Sequence, residues 1–277
     1  MPAPLCPAEL LALSGADATS FAHAQFTSDV KALAAGDWQW SAWLDAQGRV
    51  RSFFALLHPE PSCLLAWLPL GGAEPMREAL ARFVFRAAVK LETRSWTLHA
   101  MERADVPTAL QPHEVIAHDG GQLLRQPGTP DRIAWIAPTH ASSADPEALS
   151  RWRLADIEAG LPLLAPELSG EFVPQALDLE SVDAIRFDKG CYPGQEVAAR
   201  LHFRGGNKRH SQRLRVHGAP PPPGMAILGE AGRAVGQVLY SAAERDGTSA
   251  ALAVLESTSS SPSSLVTATG SRVELFQ

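Results

Sequence analysis

Asp188-Lys189-Gly190-Cys191-Tyr192-Pro193-Gly194-Gln195-Glu196 is the stretch on which the reading of this chain turns. It sets a thiol, a cation and a carboxylate among two glycines and a proline, a mixture that few core elements share. Glycine admits backbone angles closed to other residues, while proline holds its own φ and biases Tyr192 towards an extended conformation. The segment therefore predicts a tight turn that presents Cys191. If Pro193 opens a short helix, Cys191 lies near the positive end of its dipole and beside Lys189, and both favour thiolate. The same residues equally describe a small buried cysteine at a glycine turn.

The stretch also separates two kinds of sequence. Beyond it, Val197, Ala199, Leu201 and Phe203 alternate with Arg200, His202 and Arg204, which fits a strand as well as a short helix, until Gly205-Gly206-Asn207 breaks the pattern. From Arg213 onward every signal is β: Leu214 to His217, Met225 to Leu228, Val235 to Tyr240, Ala250 to Leu255 and Val273 to Phe276. Short strands at this spacing predict a small barrel or sandwich, with the serine-rich Glu256 to Ser264 as a mobile loop. Upstream, helices and strands come in mixed order without regular βαβ alternation, so the fold class is α+β. We place the boundary near Asn207, giving regions 1–206 and 207–277.

Within the first region, residues 10 to 34 read as helix around a turn at Ser14-Gly15-Ala16-Asp17, with Asp17 as a cap. Two apolar runs, Trp40 to Leu44 and Val50 to Leu57, flank Asp45-Ala46-Gln47-Gly48 and predict a hairpin. Cys63 to Leu68 is a short strand. Pro75 opens a helix through Glu92 with Met76, Leu80, Phe83, Val84, Ala87 and Leu91 on one face. Ser95 to Met101 and Arg132 to Ala137 read as strands. Residues 104 to 130 read as loop with one short element at most, and His113 and His118 as exposed loop histidines. Asp145 and Pro146 start a further helix, which Gly160 and Pro162 stop.

That helix carries Trp152 and Glu158, six residues apart and so on different turns. Both are placed to border one pocket near the helix end. A tryptophan stacks on a flat heterocycle and a carboxylate accepts two hydrogen bonds from an amino-pyrimidine edge; a core tryptophan and a solvated glutamate is the plainer alternative.

At 45% hydrophobic and 19% charged residues, the chain is of ordinary globular type. No apolar run approaches the ~20 residues of a membrane span, and Met1-Pro2-Ala3-Pro4-Leu5-Cys6 lacks the regions of a signal peptide, so cytoplasmic residence is expected. Cys6, Cys63 and Cys191 include no C-x-x-C pair, which argues against a disulfide framework and against a metal or iron–sulfur site built from this chain alone. Cys6 is expected in a mobile terminus as an ordinary thiol, and Cys63 inside a strand and protected. A net charge of -6 argues against a generally nucleic-acid-coating protein. Locally the balance reverses: Arg200, Arg204, Lys208, Arg209, Arg213 and Arg215 follow Glu196 with no acid among them, and the first four are candidate contacts for an anion or a partner.

Together, Trp152-Arg153-Leu154-Ala155-Asp156-Ile157-Glu158-Ala159-Gly160-Leu161-Pro162, Phe172-Val173-Pro174-Gln175-Ala176, Lys189 to Glu196, and Phe203-Arg204-Gly205-Gly206-Asn207-Lys208-Arg209 resemble the YgfZ family of folate-binding proteins. Its K-G-C-Y-x-G-Q-E signature is highly specific. Gly15-Ala16-Asp17 and Gln25-Phe26-Thr27-Ser28-Asp29-Val30 more weakly resemble the opening of that family and of the T-protein aminomethyltransferases of glycine cleavage. The resemblance implies a folate-binding α+β region, a C-terminal β-barrel, and tetrahydrofolate or a derivative as cofactor. It further implies a role in assembling or maintaining iron–sulfur enzymes, including those that methylthiolate tRNA, with such client or assembly proteins as partners. Trp152 looks like the family's folate-contacting tryptophan, Glu158 like the glutamate that holds the pterin, and Cys191 like the signature thiol.

Two departures stand out. The family's second folate-contacting tryptophan would fall just before Leu10, where this chain has Ala8 and Glu9; the aspartate pair of the aminomethyltransferases is replaced after Gln47-Gly48 by Ser52 and Phe53. The leading reading is thus a folate-binding accessory factor with Cys191 as functional thiol. Its rivals are a folate-dependent one-carbon transferase and a non-catalytic RNA- or protein-binding module using Arg200 to Arg215.

Overall fold

The computed structural model describes residues 3–106, 109–128, 132–138, 144–257 and 265–276. In chain order the first region holds β1 (Ala3–Ser14), α1 (Ala18–Gln25), β2 (Asp37–Leu44), β3 (Val50–Glu60), β4 (Cys63–Leu68), α2 (Ala73–Ala81), β5 (Lys90–Met101), β6 (Val115–His118), β7 (Gly121–Gln126), β8 (Arg132–Ala137), α3 (Pro146–Glu158) and α4 (Gln195–Arg204). There follow β9 (Arg209–Val216), β10 (Ala226–Leu228), β11 (Ala234–Ala243), β12 (Ser249–Glu256), β13 (Leu265–Thr267) and β14 (Arg272–Leu275).

The first eight strands form one antiparallel sheet in the order β2-β3-β4-β1-β5-β8-β7-β6. Alternation of side chains sorts its apolar residues onto two faces. Leu11 and Leu13 join Phe21 and Ala22 of α1 and Met76 and Leu80 of α2, whereas Leu10 and Ala12 face Trp152 and Ile157 of α3. The sheet curls until its edges touch: Trp38 N donates to His113 O at 2.7 Å, Val115 N to Gly36 O at 2.8 Å, and Asp37 bridges Glu114. The fold is α+β, with a curled sheet followed by a closed barrel in the order β10-β11-β12-β9-β14-β13. Leu214, Val216, Ile227, Val238 and Leu265 fill that barrel.

Several expectations are corrected. Residues 10–14 are strand, because Leu10 to Ser14 pair with β4 on one side and β5 on the other, and a continuous apolar run suits a strand buried on both faces. Asp17 precedes α1 without capping it; its carboxylate instead accepts Ala88 N at 2.7 Å, and Asp17 N donates to Ala88 O at 3.2 Å. That clasp, with the pairing of Ser14 to Lys90, draws residues 88 to 92 out of the expected helix, so α2 stops at Ala81 and leaves Phe83 and Phe85 exposed. Residues 115–126 form the β6–β7 hairpin around Asp119 and Gly120, both at positive φ, where loop was expected. The segment after Cys191 is helix, and β13 was not anticipated. Residues 258–264 of the serine-rich stretch lie outside those described.

The barrel does not stand apart from the first region. Leu239, Tyr240, Ala242, Leu252 and Val254 lie on its outside and belong to the same core as Trp152 and Leu161. Tyr240 is buried there and donates its hydroxyl to Leu161 O at 2.8 Å. Tyr240→Phe removes one of the two hydrogen bonds that Leu161 O accepts, the other coming from Leu163 N at 2.8 Å, and should remove about 1 kcal/mol of stability. Urea unfolding should show a lower midpoint with an unchanged slope; an unaltered midpoint would mean that the contact contributes nothing.

Candidate functional site

The loop before α4 is held at both ends. Lys189 turns inward, and its Nζ donates to the carbonyls of His23 at 2.7 Å, Phe26 at 2.6 Å and Ser28 at 2.8 Å. Its ammonium lies 5.1 Å from the centre of the Tyr192 ring. Burial pushes the Lys189 pKa down to about 8, against the pull of Asp29. Tyr192 is buried, donates to Arg186 O at 3.1 Å, and has its phenol held well above the ordinary range by that burial. Gly190 leaves room for His23, whose Nε2 would lie 3.4 Å from an added Cβ. Burial first, then the Lys189 charge, hold His23 below the ordinary imidazole range.

At the other end α4 begins at Gln195 and not at Pro193, with Gly194 as the residue before it. Its φ is +75°, and a Cβ there would meet Asp45 O at 2.3 Å and Gly48 Cα at 2.7 Å, so only glycine lets this turn lie against the β2–β3 hairpin. Gln195 N bonds back to Tyr192 O at 3.2 Å, and Glu196 is exposed. Gln175 Nε2 donates to Ala198 O at 3.0 Å, which ties the Phe172 to Ala176 motif to α4. Between these anchors Cys191 stands exposed, while the Lys189 charge is committed to the carbonyls beneath the loop. Cys6 is not in a mobile terminus: it pairs with Leu98 in the sheet, and burial raises its pKa, as it does that of Cys63.

A cleft of about 360 Å³ opens where the curled sheet meets itself, lined by Trp38, Trp40, His113, Gln126, Leu161 and Asp183 among others. A second hollow of about 410 Å³ shares Trp38, Trp40, His113 and Asp183 with it and extends to Asp29 and Arg186. The first lies within the size range of small-molecule pockets. Trp40 stacks on Phe53 at 4.9 Å and meets Trp38 edge-on at 5.4 Å, while His113 lies 5.7 Å from Trp38. Trp38 is 3% and Gln126 2% exposed, and Trp38 Nε1 and Gln126 Nε2 have no hydrogen-bond partner among the described residues.

None of the site residues singled out in the sequence is among the described residues that line this cleft. Trp152 is buried in the core, with the Arg132 guanidinium 4.5 Å from its ring centre; Arg132 also donates to Pro127 O and to Asp156. Pro127 lines the cleft. Glu158 ends α3 with its side chain exposed, next to Ala159 of the cleft wall, and its carboxylate has no hydrogen bond or ion pair among the described residues. Glu9 receives Gly72 N and Ala73 N at 2.9 and 3.0 Å, so it serves the start of α2. Phe53, where a carboxylate was sought, is buried against Trp40. Arg200, Arg204, Lys208 and Arg209 are exposed, and Arg209 lies 3.6 Å from Glu256. Among the described residues no group of three or more His, Cys, Asp or Glu side chains is arranged to hold a metal ion, and no helix is long and apolar enough to cross a membrane.

Comparison with known proteins gives this geometry a family. The chain is 31% identical over 265 residues to the tRNA-modifying protein YgfZ of Cronobacter sakazakii, covering 86% of this chain and 79% of that one. The chain belongs to the YgfZ family. The YgfZ protein of Yersinia pseudotuberculosis is 29% identical over 270 residues, 89% of this chain and 81% of the relative. An uncharacterized protein of Haemophilus influenzae is 30% identical over 204 residues, 73% and 68% of the respective chains. No family model matches. The aminomethyltransferase T of the glycine cleavage system from Bartonella henselae shares the fold, with a TM-score of 0.72 at 16% identity over 98% of this YgfZ-family chain and 83% of that structure.

Sequence reasoning missed Trp38, Trp40, His113 and Gln126 as a group. Trp38 and Trp40 are two apart on a strand and so share a face, a signal present in the sequence; nothing local brings His113 or Gln126 to them.

Two predictions follow from the loop. Lys189→Met leaves three carbonyls without their donor and should lose on the order of 2 kcal/mol. Because unfolded lysine titrates near about 10.4, the unfolded chain holds more protons than the folded one from about 8 upward, so wild-type stability rises with pH across that window. Its margin over the variant, measured by urea unfolding at several pH values, should widen there; a constant margin would show that Lys189 titrates normally. In limited alkylation of the folded protein read by peptide mass spectrometry, Cys191 should label first and Cys6 and Cys63 lag. Earlier labelling of Cys6 would contradict the buried strand position assigned to it.

Proposed function

We propose that the chain binds tetrahydrofolate in the Trp38–Trp40 cleft and acts as an accessory factor for iron–sulfur enzymes that modify tRNA, with Cys191 as its functional thiol. The observation that carries the reading is the aromatic lining of the cleft, where Trp38 meets Trp40 at 5.4 Å and His113 at 5.7 Å. A pterin offers a flat face for Trp38, Trp40 and His113. Glu158, next in the chain to Ala159 of the cleft wall, carries an exposed carboxylate suited to the donor edge of an amino-pyrimidine. In this reading Trp38 and Trp40 supply the wall missing at Ala8 and Glu9, and Trp152 stiffens it through Arg132 and Pro127. When bound, tetrahydrofolate supplies a carrier for a one-carbon unit.

The chain's own residues bind and orient the pterin. They include no carboxylate at Ser52 or Phe53 to exchange a proton as the aminomethyltransferases do, which favours an accessory role over aminomethyl transfer. The exposed thiol on an anchored loop fits thiol or redox chemistry with a partner. A single thiolate does not hold a cluster alone, so cluster chemistry would take place with outside ligands. The names of the tRNA-modifying relatives support the same setting.

Calorimetry of tetrahydrofolate binding tests the cleft. Loss of one aromatic face in Trp38→Leu should weaken binding about five- to 150-fold; unchanged affinity would remove the cleft from the site. A deletion strain complemented with Cys191→Ala should show lowered iron–sulfur enzyme activity and less methylthiolated tRNA. Full restoration by Cys191→Ala would detach the thiol from the function.

A further inference from the structure

One surface is used by none of this. On α4, Arg200, Phe203 and Arg204 are three and four residues apart and form a single stripe, and Lys208 follows in the chain beyond Gly205–Gly206. Phe203 is 75% exposed, an unusual position for a large apolar ring. It is not loosely carried: it lies edge-on to His202 at 4.7 Å and 6.2 Å from Phe187, and His202 stacks on Phe187 at 4.4 Å. His202 is held in turn by Glu180 at 2.9 Å. The exposed ring therefore stands on an ordered aromatic base.

The charges around it are equally one-sided. Arg200, Arg204 and Lys208 are exposed and have no hydrogen-bonded or ion-paired side-chain partner among the described residues. Nearby acids are mostly occupied: Glu180 by His202, Asp178 by His210 and Ser211, and Glu256 by Arg209 and Arg233. Glu196, one turn before Arg200, is the carboxylate on the stripe itself. In a chain of net charge -6 this is a local reversal of sign beside a presented aromatic face.

We propose that the α4 surface binds an unpaired segment of RNA, with Phe203 stacking on a base and Arg200, Arg204 and Lys208 holding neighbouring phosphates. Unpaired bases offer the open faces that a lone exposed ring needs and that a duplex keeps stacked inside, and the phosphates supply the counter-charge. An acidic peptide would satisfy the cations but leave the Phe203 face unmatched. The proposal rests on neither the folate cleft nor Cys191, so it stands or falls separately from the function proposed above.

The test uses the full chain and a fluorescein-labelled, unstructured RNA of about ten nucleotides, followed by anisotropy at several salt concentrations. Three phosphate contacts on a single strand give a slope of about -2 in log affinity against log salt. Phe203→Leu keeps an apolar side chain but loses the ring; it should weaken binding about five- to 150-fold while leaving the slope unchanged. Arg200→Gln and Arg204→Gln should each lower the slope by about 0.7. Because all of these side chains are exposed, thermal midpoints should match wild type and separate binding from folding. The proposal is overturned by a wild-type chain that does not bind the RNA, or by binding that none of the three variants alters. Capture of a protein through Phe203 and Arg200 without RNA binding overturns it as well.

Discussion

An open sheet ends in rows of unpaired N–H and C=O groups, and in this protein the two open rows of one sheet are brought against each other. The contact is small: Trp38 N to His113 O, Val115 N to Gly36 O, and the Asp37–Glu114 bridge. Yet it sets the geometry of everything nearby. His113 takes a positive φ of 65° at this seam, and Trp38 and Trp40 line one cleft together with Gln126 at the end of β7. Without the curl, those side chains would face an open surface. The twist of antiparallel strands supplies the curvature, and the seam fixes where it stops.

The local signals that survived into the structure are those whose physics is local. Asp145 caps α3 by accepting Glu147 N and Ala148 N, and Pro146 occupies its first position, as their order in the chain implies. The hairpin around Asp45 to Gly48 and the barrel strands were legible for the same reason: alternation and turn chemistry are short-range. Leu10 to Ser14 and Val84 to Glu92 were misread because tertiary pairing overrode their periodicity. Ser14 meets Lys90 across the sheet, and the Asp17–Ala88 clasp needs both segments at once. The candidate site was legible in its motif residues and illegible in its walls. Trp38, His113, Gln126 and Leu161 come from four separate parts of the chain, and only the closure of the sheet makes them neighbours.

The Cys191 loop shows a related division of labour. A lysine two residues from a cysteine suggests an electrostatic partner for sulfur, but the lysine's three donors match three carbonyls at the end of α1 instead. Lys189 thus acts as a nail and Tyr192 as a second one, with Gly194 letting the turn lie flat against Gly48. What these residues give the thiol is position and access. The signature is as much a mechanical device as a chemical one.

Leu161 deserves a last look because it belongs to two worlds. Its side chain lines the cleft, while its carbonyl receives the hydroxyl of Tyr240 from the wall of the barrel. A core shared in this way makes the two parts thermodynamic partners, since neither can come apart without exposing apolar surface of the other. Whatever fills the cleft thereby raises the melting temperature of the barrel too, by ordinary mass action. The barrel, which supplies none of the residues lining the cleft wall described here, is a reporter of whether that cleft is occupied.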